Sequence, residues 1–179
     1  MIFKTERLLI FALKKSDSED FFDMMGNPNV MLPIPQKTMT KIESDAKLLE
    51  LITLEKTTSK KVWSLVEKES NNFIGICGLL KNNENENEIA YRLREKYWGK
   101  GYGTEITKGL IDFSFINLNF DLLTADVNID NIKSRIKNVS SLIRSLYLNI
   151  HVLRFHPQLI LQEFLLLKYH LQTLNRFYL

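Results

Sequence analysis

The chain has 179 residues, 45% of them apolar, enough for one domain with its own core but not for a second catalytic domain, and its single cysteine rules out an internal disulfide. The formal net charge of +3 is unevenly spread, because residues 1–134 carry 18 Lys and Arg against 20 Asp and Glu while residues 135–179 carry six against one. The main body thus lacks a basic patch interleaved with aromatics, no stretch reaches the roughly 18 apolar residues of a membrane span, and Thr5-Glu6-Arg7 is no signal-peptide start; the expected setting is the cytoplasm, with neither nucleic acid nor membrane as partner.

Arg7 to Leu13, rich in Leu, Ile and Phe and closed by Lys14-Lys15, predicts a first strand. Ser16 with Glu19 has capping-box spacing, and Phe21, Phe22 and Met25 supply an apolar helical face that Gly26-Asn27-Pro28 ends. Thr40 with Glu43 repeats the signature ahead of Leu48, Leu49 and Ile52. Val62, Ser64 and Val66 alternate with Trp63, Leu65 and Glu67, and Ser70-Asn71-Asn72 turns into the apolar run Phe73 to Leu80, which predicts a hairpin with its second strand buried. Cys77 lies in that run, where a small core residue is the commoner role, and His151, His156 and His170 all lie far downstream. Neither a thiol enzyme nor a metal site is predicted.

Asn82 to Asn87 forms a polar loop before a strand over Glu88 to Arg94. Tyr97-Trp98-Gly99-Lys100-Gly101-Tyr102-Gly103-Thr104 is then a glycine-rich turn into a helix over Glu105 to Phe115, with Ile106, Leu110, Ile111 and Phe115 at helical spacing. Leu122 to Val127 predicts another strand, and Asn128 to Ser134 a polar turn and helix start.

A glycine turn before a helix exposes backbone N–H groups at the positive end of the helix dipole, which suits a pyrophosphate. Taken alone, Gly99-x-Gly101-x-Gly103 serves equally well as a tight strand-to-helix connection. A P-loop would end in Gly-Lys-Ser/Thr, whereas this run ends Gly103-Thr104-Glu105. A dinucleotide fold would place the last glycine three residues after the second and repeat the strand-helix-strand unit; neither feature is present.

The assembly as a whole resembles the GNAT superfamily of acetyl-CoA-dependent N-acetyltransferases, in the branch of the ribosomal-protein alanine and serine N-acetyltransferases. Thr5-Glu6-Arg7-Leu8-Leu9-Ile10 is similar to that branch's first strand and Phe73 to Leu79 to its buried third strand. Ile89-Ala90-Tyr91-Arg92-Leu93 with Tyr97 to Glu105 resembles the fourth strand and pyrophosphate loop, with Trp98 where the superfamily pattern has Arg or Gln. Asn131-x-x-Ser134 resembles the segment that contacts the pantetheine arm.

The resemblance implies an α+β fold, a mixed, mostly antiparallel sheet flanked by helices, with two strands splaying apart to admit pantetheine while Gly99, Lys100, Gly101, Tyr102, Gly103 and Thr104 hold the pyrophosphate. It implies direct transfer from acetyl-CoA, a co-substrate, to a primary amine on a small molecule or a protein N-terminus, in a monomer or a homodimer. Such transfer needs a neutral amine, donors for the developing oxyanion and a proton for the leaving thiolate. Glu88 is the candidate base, ahead of Glu86, and is otherwise a solvated strand-edge charge. Ser134 either donates to the leaving sulfur or caps the following helix. Asn131 is assigned to pantetheine amides, and a main-chain N–H near Leu93 to the oxyanion. Tyr91 and Tyr102 are proton donors or core aromatics.

The resemblance covers Thr5 to Ser134, which makes residues 1–134 the expected acetyltransferase core, and then stops. All seven glycines precede residue 135, all three histidines follow it, and Glu163 is the sole acid among the last 45 residues, which hold twelve leucines. Two explanations of the 135–179 tail are open: a shifted reading frame that replaces the family's last helix and strands, or a divergent Leu-rich ending with a helix over 157–174 that is apolar nearly all round. In either case the alternative to an active enzyme is a catalytically inactive acetyl-CoA-binding or interaction module.

Overall fold

The computed structural model describes residues 1–31, 36–126 and the backbone of 152–155. Alternation in β2 (Leu8–Ala12) turns Leu8 and Ile10 fully inward, and β1 (Phe3–Lys4) pairs along its edge. Helices α1 (Ser18–Met25), α2 (Pro28–Met31) and α3 (Lys41–Thr57) follow. The capping box predicted at Thr40 is present: Glu43 Oε2 accepts from the Thr40 N–H at 2.7 Å, and the Glu43 N–H donates to Thr40 Oγ1 at 3.3 Å. The one predicted at Ser16 is not. Asp17 instead accepts from the Lys14 N–H at 2.9 Å in a short 3-10 turn, because Glu19 is drawn to Lys41, 3.1 Å away on α3.

The predicted hairpin forms from β3 (Lys61–Glu67) and β4 (Phe73–Lys81), and β5 (Asn87–Leu93) pairs antiparallel on the other side of β4. After the glycine turn, α4 (Tyr102–Ile116) crosses over to β6 (Leu123–Asp126), which is parallel to β5 as such a crossover requires. The sheet runs in the order β1 to β6, and β7 (Val152–Phe155), within the tail, pairs antiparallel with β6. The fold is the expected mixed, mostly antiparallel α+β one. The helix start at 128–134 and the helix at 157–174 fall outside the described residues.

Each face of the sheet has its own core. On one, Leu8, Ile10, Leu65, Ile74 and Leu93 pack under Ile106 and Leu110 of α4. On the other, Val62 and Phe73 meet Phe21, Met24, Met31 and Leu48 of α1 to α3. Each such side chain contributes about 1.5–3 kcal/mol on burial. Cys77 is 1% exposed in the first core, and burial pushes its thiol far above the ordinary value, as its predicted core role requires.

Candidate active site

The glycine turn is built as its composition dictates. Gly99 (φ 76°) and Gly101 (φ 83°) both occupy the left-handed region that side chains rarely enter. Gly101 is the N-cap of α4 and brings no side chain to cap it, while the Glu105 N–H donates to Gly101 O at 3.1 Å. The N–H groups of Tyr102, Gly103 and Thr104 therefore have no acceptor inside the helix. Space above Gly99 is open, since a Cβ added there would meet nothing within 4 Å. A Cβ on Gly103 would lie 2.7 Å from the Tyr91 hydroxyl, so the helix end rests directly on β5. An uncapped helix N-terminus beside open space, with the exposed Lys100 next to it, fits a diphosphate.

Arg7 fixes this turn. Its Nη1 donates to Lys100 O at 3.0 Å, its Nε pairs with Glu105 Oε2 at 2.7 Å, and its guanidinium lies 4.5 Å from the centroid of the Tyr102 ring. The Arg7 N–H and the Thr5 hydroxyl donate to the other Glu105 oxygen. Burial pushes the Glu105 carboxyl up, but the hydrogen bonds from Thr5 and Arg7 outweigh it and hold it below its ordinary range. The Tyr102 hydroxyl donates to Glu67, and that bond, with burial, raises its pKa to about 12. This commitment removes Tyr102 as a proton donor and leaves its main-chain N–H as its contribution at the turn.

A slot runs along β5. The Arg94 N–H donates to Ile74 O, so in the antiparallel ladder Leu93, Tyr91 and Ile89 turn their peptide groups away from β4 and toward β6. There a single register pair, Glu88↔Thr124, joins the two strands. Thr124 closes that end, its hydroxyl donating to Asn87 O at 3.1 Å. At the mouth, Trp98 Nε1 donates to Leu93 O at 3.0 Å. The turn, Leu93 and Tyr91 are thus brought together, whereas Glu88, five residues back along the strand, lies about 16 Å from Leu93. An N–H near Leu93 and a base at Glu88 stand at opposite ends of the slot. Asn131 and Ser134 lie outside the described residues.

Sequence reading missed three contributors. Arg7 sits 98 residues before Glu105, and no local spacing announces the pair. Trp98 stands in the Arg or Gln position, and nothing in its spacing announces its bond to Leu93 O. Arg92 reads as an ordinary strand residue, yet among the described residues the partners of its Nη1 are Met25 Sδ (2.9 Å) and Met31 Sδ (3.4 Å). Among the described residues no group of three His, Cys, Asp or Glu converges, and no helix is long and apolar enough to cross a membrane.

The family model for the acetyltransferase (GNAT) domain matches residues 7–136. The uncharacterized N-acetyltransferase p20 of Bacillus licheniformis is 29% identical over 143 residues, 77% of this chain and 79% of its own. A GNAT-family acetyltransferase from Bacillus anthracis superposes with a TM-score of 0.72 at 20% identity, covering 87% of this chain and 98% of that one. Spermidine N-acetyltransferase from Vibrio cholerae, solved in complex with CoA and spermine, gives 0.68 at 18% identity over 87% of this chain and 98% of its own.

Proposed function

Because the chain belongs to the GNAT acetyltransferase family, we propose that it transfers acetyl from acetyl-CoA to a primary amine. The carrying observation is the left-handed turn at Gly99 and Gly101, which sets the uncapped start of α4 at the mouth of the β5–β6 slot. The diphosphate binds the N–H groups of Tyr102, Gly103 and Thr104, beside Gly99, Lys100 and Gly101, with Asn131 on the pantetheine amides. The arm follows the unpaired edge of β5 from Leu93 inward. An extended arm carries the thioester well below Leu93, so the N–H of Leu93 meets pantetheine and that of Tyr91, further in, meets the oxyanion.

The reaction is a direct transfer. The amine nitrogen bonds to the thioester carbon, the C–S bond breaks, the amine gives up a proton and the leaving thiolate takes one. Glu88, at the inner end of the slot, receives the amine proton directly or through water, and Ser134 donates toward sulfur. The acceptor is a small molecule or a protein N-terminus.

Incubation of the purified chain with acetyl-CoA and a panel of peptides and small amines, with free thiol as readout, tests this. Saturable, acceptor-dependent release is the expected result. Coenzyme binding without release would favour the inactive module, the reading to which the change of composition at residue 135 points. Sequencing the coding DNA separates the tail's two explanations: an alternative frame that encodes the family's last helix and strands establishes the shift.

A further inference from the structure

Two arginines, Arg92 on β5 and Arg94 just past its end, lie on the side of α1 and meet opposite fates. Arg94 is 6% exposed and fully satisfied, with Asp20 and Asp23 each at 2.7 Å and Phe73 O at 2.9 Å. Arg92 is half-buried, and among the described residues its guanidinium finds only two thioether sulfurs as hydrogen-bond partners. Sulfur is a weak acceptor and a guanidinium carries five donors, so this group is left short of partners. Desolvation by burial also pulls its pKa down.

Several acids around α1 and just past β5 are engaged elsewhere. Asp17 accepts from the Lys14 N–H, Glu19 from Lys41, and Glu95 from Asn27 and Asn29. Residues 32–35, between α2 and α3, are Leu-Pro-Ile-Pro and hold no acid. Among the described residues no carboxylate lies within ion-pair distance of Arg92.

Position gives this unmet charge a use. Residues directly opposite in the ladder share a face, so Arg92 stands beside Ile76, Ala90 beside Gly78 and Glu88 beside Leu80, all on the side of α1 to α3. Between Arg92 and Glu88 the face offers only the Ala90 methyl. The opposite face belongs to α4, so the coenzyme phosphates are out of Arg92's reach. Resting on the reading above, we infer that Arg92 binds the acceptor, and that the acceptor is a primary amine carrying a carboxylate. A guanidinium fork takes a carboxylate through two parallel hydrogen bonds, and holding that end fixes where the amine meets the slot.

Matched acceptors test this without any variant: β-alanine against β-alaninamide, and the C-terminally amidated dipeptides Ser-Asp against Ser-Asn. The carboxylate member of at least one pair is expected to react about 10- to 100-fold better in kcat/KM. Preference in the first pair alone identifies a free amino acid, and in the second a peptide N-terminus. Arg92→Gln should erase the preference while leaving the KM for acetyl-CoA unchanged; Arg92→Met, which packs on the same two methionines, replaces it should the Gln variant not fold. Spermidine, cationic throughout, should be a poor acceptor. Equal rates within both pairs, or an equal loss on both members of a pair in the variant, would overturn the assignment. If no amine reacts, the catalytic reading fails separately, and calorimetry of N-acetyl-β-alanine against its amide in the presence of CoA still reads Arg92. Indifference to the carboxylate there sinks it.

Discussion

The two faces of β5 are finished to different degrees. On the α4 side Arg7 is matched with Glu105 and the Tyr102 hydroxyl with Glu67, and the turn is locked by contacts reaching back to Arg7, just ahead of β2. On the side of α1 to α3, Arg94 holds two aspartates while Arg92 has no carboxylate partner among the described residues. A matched face is a scaffold and can stay the same whatever the acceptor. A half-buried charge without a carboxylate among the described residues is stabilised when something else arrives, so the identity of the acceptor is written there.

The sharpest way to break the comparison is to strain the finished face. Gly101→Val puts a β-branched residue at φ 83°, at a cost of about 1–3 kcal/mol, which should weaken acetyl-CoA binding about 10- to 100-fold by calorimetry and leave any carboxylate preference intact. Next comes Arg7→Gln. It leaves the Glu105 carboxylate uncompensated in the first turn of α4, where it repels an anion, and should raise the KM for acetyl-CoA about tenfold with little change in kcat. Adding Glu105→Gln should recover most of that loss; if it does not, Arg7 works by some means other than neutralising Glu105.

Smaller effects sharpen the contrast. Thr124→Val leaves the Asn87 carbonyl without its hydroxyl donor at the closed end of the slot and should lower stability by about 1 kcal/mol in urea unfolding. The smallest effect is acid dependence. Glu105 titrates below its ordinary 4.5 in the folded chain, so its stabilisation is complete above that value and fades as pH falls beneath it. The Tm gap between the native chain and Glu105→Gln should narrow below pH 4.5 and hold steady above it.

Much of this was legible in the residues, and the gaps have physical causes. Local signals carried well: the Thr40–Glu43 box, the Asn71 turn and the glycine run all act within a few residues of themselves. The Ser16–Glu19 spacing misled because a tertiary partner, Lys41, outbid a local cap. Gly99 to Thr104 could be read as a phosphate-sized turn, but the clamp from Arg7 joins positions almost a hundred residues apart and leaves no local periodicity. Arg92 and Arg94 look alike in the sequence; only the packing of α1 tells which of them receives the aspartates. Glu88 shows in the sequence as a carboxylate at a strand start, whereas its distance from Leu93 is set by the extended length of β5.

Trp98 supplies an optical consequence. The chain has two tryptophans, of which Trp63 is 4% exposed and donates to Glu55, while Trp98 is 43% exposed at the mouth of the slot. Fluorescence from the first is shielded from solvent quenchers, so iodide reaches mainly the second. Entry of a ligand should be visible as a loss of quenching at that single indole, with no label attached.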